Sequence, residues 1–326
     1  MARSALGWCW LLAALAGLLP GATTIAGPVA GYVAESSGPV LRAVLGVPGS
    51  FRFSDPLPLP DGVARVHVAP GQDFALVERT DSGLAVLSLC GAKVDLVTAV
   101  DGALTTPDWV AFSPQAGSAI LFSASASRLQ VLAGLPDTPR VAMELDTTTL
   151  PGPPRNGAVS DDGQTLLIAA GRGVYLVPAA GGAAQLLLPA IEVVSLALFR
   201  NGVDAAVWDG GTGSIHHLQN VSSAPAERVL ASGLKGVGKL YPSWDGGKLF
   251  VVKPGAKGVS SIDLASGEIQ SFDSSAAPVT LDPLRNHDTF LISARPHQPA
   301  WIFYLDGTAG RVVFVPARNP MTESAQ

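Results

Sequence analysis

The chain has 326 residues, 48% of them hydrophobic and only 14% charged, with 36 glycines, 26 prolines and a net charge of −5. Apolar runs recur at short intervals, which excludes a solvated disordered polymer despite the glycine and proline content. The mild negative charge and the lack of any basic cluster exclude nucleic acid as an expected partner.

The opening residues, MARSALGWCWLLAALAGLLPGATTIAG, place Arg3 ahead of an apolar run from Ala5 to Leu19, followed by Pro20 and small residues. That is the form of a secretory signal peptide over residues 1–26, with cleavage after Ala22 or Ala26. The run is shorter than the roughly 20 residues of a spanning helix, so no membrane anchor is expected after cleavage. The mature protein is expected in the periplasm or outside the cell. Loss of the leader leaves Cys90 as the only thiol in the sequence. It closes the apolar run Leu84 to Leu89, which predicts a small buried residue with no disulfide partner.

Ala30 to Glu35 and Val40 to Leu45 read as a strand pair. The following stretch, Val47 to Pro60, carries four prolines and reads as a surface connector. From Val63 a unit then repeats. Its third copy shows it best: in RNGAVSDDGQTLLIAAGRGVYLVPAAGGAAQLLLPA, from Arg155 to Ala190, four short apolar or alternating runs are separated by Asp-Gly, Gly-Arg-Gly and Gly-Gly. This is the pattern of a four-stranded antiparallel meander. Such a sheet exposes too much apolar surface to stand alone and needs similar sheets on both sides.

Six units fill the chain to Ala317 at a mean spacing of roughly 42 residues, the range of propeller blades rather than of helical repeats. The expectation is an all-β chain: one β-propeller domain over 27–317, built of four-stranded antiparallel blades, with a polar tail over 318–326. Seven blades are expected, six being the alternative. In the seven-bladed form the N-terminal pair supplies the outer half of a blade shared between the two chain ends.

The turns Ser113-Pro114, Ser160-Asp161-Asp162-Gly163 and Ser243-Trp244-Asp245-Gly246 each precede an apolar strand. They resemble the Ser-Pro-Asp-Gly turn of secreted bacterial propeller repeat proteins, those with Tyr-Val-Thr-Asn or Trp-Asp-like repeats. The resemblance implies a fold and no particular activity.

Chemical motifs are few. His216 and His217 are adjacent on a strand, so their side chains point to opposite faces and form no local chelate. His67, His287 and His297 are scattered, and there is no paired-histidine or Cys-x-x-Cys spacing for zinc. Neither a nucleophile elbow nor a phosphate or dinucleotide glycine loop is present. Asp161-Asp162-Gly163 and Asp209-Gly210-Gly211 lack the further acids of a calcium loop and read as hairpin turns. No cofactor, metal or catalytic set is therefore expected.

Aligning the six units on the turn after their first strand brings Arg65, Trp109, Asn156, Ser195, Lys239 and Thr280 to one equivalent position, each followed by an apolar residue or glycine. Such a position marks the mouth of a central channel, where these six would surround a small anionic or polar ligand, a sugar on Trp109 for example. The expected function is an exported, non-catalytic module that binds a protein, glycan or small ligand. The alternative is a secreted lactonase-like hydrolase with its site at the channel mouth.

Overall fold

The computed structural model describes residues 27–316, except 36–37, 81–82, 92, 179–181, 235–237, 254–255, 275–279, 293–299 and 308. The expected leader, the polar tail and His297 lie outside the described residues. Seven antiparallel sheets, blades 1 to 7, follow one another along the chain, each formed by consecutive strands, so that the six sequence repeats are blades 2 to 7. Six have four strands, and the N-terminal one has three.

The third repeat folds as its sequence predicts, into strands Pro154–Val159, Thr165–Ala170, Gly173–Pro178 and Gln185–Pro189. Its second strand, TLLIAA, is buried at every position, as a strand covered on both faces must be. Apolar side chains leave each sheet in both directions. Leu76 and Leu84 of blade 2 pack with Leu121 and Leu132 of blade 3, whereas Val77 and Leu87 of blade 2 pack with Tyr32 and Leu41 of blade 1. Equivalent clusters join blades 3 to 4, 4 to 5, 5 to 6 and 6 to 7. A seventh joins blade 7 back to blade 1, through Leu284, Leu291 and Ile302 against Ala30, Val33 and Val44. The ring is closed, and the chain is a seven-bladed β-propeller.

First strands of neighbouring blades run beside one another and so lie nearest the axis. Hairpins between strands 1 and 2 and between strands 3 and 4 lie on one face, here the hairpin face. The links between blades lie on the other, the connection face.

Three details depart from the sequence reading. Val29–Glu35 is the innermost strand of its own blade, not part of an outer half completed by the other chain end. The proline-rich stretch includes a third strand, Ser50–Pro56, whose Phe51 is buried while Arg52 and Asp55 face water. Its prolines lie outside Ser50–Asp55, and a terminal proline on an edge strand costs no ladder bond. Cys90 is exposed rather than buried, because it ends its strand beside the positive-φ Gly91 on the side opposite Leu89.

The seam between blades 7, 1 and 2 is held by polar bonds as well as packing. Arg285 N–H donates to Ala30 C=O at 2.8 Å. Gln72 reaches across blade 1, its Oε1 accepting from Tyr32 N–H at 2.5 Å and its Nε2 donating to Pro283 C=O at 2.6 Å. The Arg285 guanidinium donates in turn to the carbonyls of Gln72 and Leu89.

Candidate functional site

The first-strand positions singled out by alignment are equivalent in the fold. Arg65, Trp109, Asn156, Ser195 and Lys239 pair with Glu78, Phe122, Ala169, Trp208 and Val252 at the same rung of their blades, and Thr280 lies just before its first strand, Leu281–Pro283. In blades 2, 4 and 5 a β-bulge comes directly before this rung. Three of the six engage the next blade, Arg65 and Ser195 after such a bulge and Trp109 without one. Arg65 Nη1 donates to Pro107 C=O of blade 3 at 3.2 Å. Trp109 lies on Phe122 and against Gly157 of blade 4, where a Cβ would come within 3.2 Å of the indole. Ser195 is buried, and its Oγ accepts from Leu240 N–H of blade 6 at 3.1 Å. Asn156 Oδ1 accepts from its neighbour Gly157 N–H, and Lys239 is exposed.

What the alignment misses is the partner set around Arg65. Residues i and i+2 of a strand share a face, so His67 stands beside Arg65. Glu78, on the neighbouring strand Phe74–Arg79, meets both: Oε1 lies 2.8 Å from His67 Nε2 and accepts from Arg65 Nη1 at 3.1 Å. The Glu78 side chain is only 6% exposed, that of His67 20% and that of Arg65 56%. A buried carboxylate therefore holds an imidazole by one nitrogen, with a half-exposed guanidinium alongside. The signal in the sequence is a lone acid in the buried run FALVER, facing Arg-x-His one strand away.

Further round the axis, Asp282 is exposed on the innermost strand of blade 7 yet crowded by protein, and this desolvation raises its pKa against the opposing pull of Lys239. Tyr241 Oη accepts from Leu281 N–H, and burial raises the phenol well above its usual range.

The hairpin face is built differently. In blades 4 and 6 the turn serine accepts from the amide five residues on and donates to the Asp two residues on, Ser160 to Asp162 at 2.5 Å and Ser243 to Asp245 at 2.6 Å. These bonds lower both carboxyl pKa values. The turns are also tied to one another. Arg200 donates to Gln115 Oε1 at 2.7 Å and lies over Trp244, which stacks on His287 at 3.7 Å. Blades 3, 5, 6 and 7 are thus linked on this face. Asp209, the other candidate calcium loop, spends its carboxylate on the amides of Ile191, Glu192 and Gly211 and on the Thr212 hydroxyl.

Among solved structures the chain resembles a protein from Lactobacillus plantarum, at 14% identity and a TM-score of 0.60 over 89% of this chain and 96% of that one. It resembles a 6-phosphogluconolactonase candidate from Bacteroides fragilis, at 14% identity and 0.59 over 88% and 92%. It also resembles the periplasmic gluconolactonase PpgL of Pseudomonas aeruginosa, at 16% identity and 0.58 over 87% and 93%. At these identities the likeness establishes the fold and nothing finer. No protein-family model matches the chain, nor does any curated protein. No helix among the described residues is long and apolar enough to cross a membrane.

Proposed function

We propose that the chain is an exported lactonase-like hydrolase with its site on the two innermost strands of blade 2, facing blade 3. The observation that carries this reading is the His67–Glu78–Arg65 cluster. With the Nε2–H of His67 donated to Glu78, Nδ1 keeps a free lone pair and is a general base. A water molecule attacks the lactone carbonyl while Nδ1 takes its proton, and the charge developing on the carbonyl oxygen is met by the unoccupied N–H groups of Arg65. The ring C–O bond then breaks, and the imidazolium returns the proton to the leaving alkoxide, giving the open hydroxy acid. Two of the structurally similar proteins bear lactonase names, which makes a sugar lactone the first substrate class to test.

The test is hydrolysis of gluconolactone and 6-phosphogluconolactone followed by acid release, with the spontaneous rate subtracted. His67→Ala is expected to lose about 100-fold or more of the catalysed rate. A wild-type rate equal to that of buffer ends this reading.

A second reading is supported by Arg65, Trp109 and Ser195 acting across blade interfaces: an exported, non-catalytic disc presenting a rigid face to a glycan, protein or small anion. Under it, the Arg65→Ala, Trp109→Ala double variant loses thermal stabilisation by a ligand from a panel of sugars, carboxylates and phosphates, with no lactone turnover in either protein. An equal response of the double variant removes this ring as the site.

A further inference from the structure

On the hairpin face between blades 5 and 6 a cleft of about 510 Å³ opens, of a size that holds small ligands. Its floor includes His217, on the strand Ser214–Gln219, which is only 5% exposed and has no hydrogen-bond partner among the described residues at either ring nitrogen. An unpartnered buried polar group carries a desolvation cost that a bound ligand can offset. The charged groups around it are, by contrast, already engaged. Asp245 accepts from Ser243 and Gly247, and Asp263 from Ala265 and Ser266. Asp204 accepts from Asn201 and from Asn220 N–H, and Arg228 donates to Leu264 C=O.

We propose that this cleft is a ligand site, independent of the hydrolytic cluster, for a neutral hydroxyl-bearing molecule the size of a mono- or disaccharide. Arg200, Arg228 and the Asp263-paired Lys248 balance Asp204, Asp245 and Asp263, so the cleft offers no net charge to select an ion. A neutral imidazole has one donor and one acceptor. A carboxylate or phosphate could use only the N–H and would face Asp204; an ammonium could use only the lone pair; a hydroxyl uses both. His217 Nε2 stands 4.0 Å from Asp204 Oδ2, too far for a direct bond and suited to one oxygen set between them. Phe199, itself buried, has its ring centroid 5.3 Å from that of His217 and forms the apolar backing of the imidazole. Both nitrogens are covered, so binding includes a small outward shift of the hairpin that carries Asn201 and Asp204.

The experiment is NMR observation of the histidine ring nitrogens during titration with glucose, galactose, N-acetylglucosamine and cellobiose at millimolar concentrations, alongside thermal melting. At least one sugar is expected to move the His217 resonances and leave those of His67 in place. His217→Phe, which keeps the ring volume, should weaken that response about tenfold or more. Asp204→Asn provides the same test if the Phe variant fails to fold. His67→Ala should bind the sugar as the wild type does, which separates this site from the hydrolytic reading. Absence of any His217 shift with all four sugars, or undiminished binding by His217→Phe, overturns the proposal.

Discussion

His67 and His217 occupy related places, each on a strand facing a blade interface, and the two interfaces treat them in opposite ways. Between blades 2 and 3 the imidazole is held by Glu78, itself shared with Arg65. Between blades 5 and 6 the imidazole is more deeply buried, and its nearest acid, Asp204, is 4.0 Å away. Blade packing alone does not decide how a buried histidine behaves. What decides it is whether the neighbouring strand brings an acid onto the same face: Glu78, opposite Arg65 and two rungs from His67, does so, while His217 faces Ala206 on one side and Arg228 on the other.

The sharpest way to break this contrast is to remove the acid that creates it. Glu78→Ala leaves His67 and Arg65 without their shared acceptor and is expected to cost about 3 kcal/mol in urea unfolding, since breaking a buried charged pair costs a few kcal/mol and the half-exposed Arg65 recovers part of it from water. A loss below about 1 kcal/mol would mean that the cluster contributes little to folding.

The second test uses pH. Burial lowers the His217 pKa, with Asp204 opposing it and Arg228 reinforcing it; Asp245 and Asp263 also line the cleft. A folded pKa below the unfolded value near 6.5 means that protonation favours the unfolded chain. The stability is complete above about pH 6.5 and is lost as pH falls below it, by up to about 1.4 kcal/mol per pH unit until the folded pKa is reached. His217→Phe should therefore melt with a flatter profile between pH 7 and pH 5 than the wild type. Parallel profiles would show that the imidazole is already paired in solution.

The smallest expected effect concerns the turns that frame the cleft. Ser243→Ala removes the hydroxyl that joins the Lys248 amide to Asp245, and should lower stability by about 1 kcal/mol at neutral pH. Asp245 has a depressed pKa, so its contribution is present above the ordinary carboxylate range near pH 4 and is lost as pH falls through the lower folded value. The variant should thus differ less from the wild type in acid than at neutral pH, as read from melting midpoints at the two conditions.

Much of the ring was legible because it rests on local rules. TLLIAA is itself the strand Thr165–Ala170, and the Ser-Asp-Gly turns are closed by the bonds their residue types suggest. The first-strand alignment found a true structural rung, because every hairpin after it has the same length. It did not give the engagement of the side chains, which differs from blade to blade: Trp109 meets the next blade without a bulge, while Asn156, after one, bonds its own neighbour. The His67–Glu78 pair was hidden by its separation of 11 residues, since antiparallel partners are neighbours only once the register is known. His217 could be placed on a buried face, but the absence of a partner there depends on Ala206 and Arg228, and no local pattern announces it.

The seam has a consequence for how the chain could be rewired. Among the described residues, blade 7 meets blade 1 through side chains and a backbone bond, with no strand shared between the two blades. The first and last strands therefore lie in adjacent blades without being woven together, and the order in which the seven sheets are encoded matters little to the ring they form. Tethering the ends and opening the chain at the link between blades 3 and 4, near Leu150, should yield a circular permutant with the same fold, as its near-wild-type circular dichroism and cooperative melting would record.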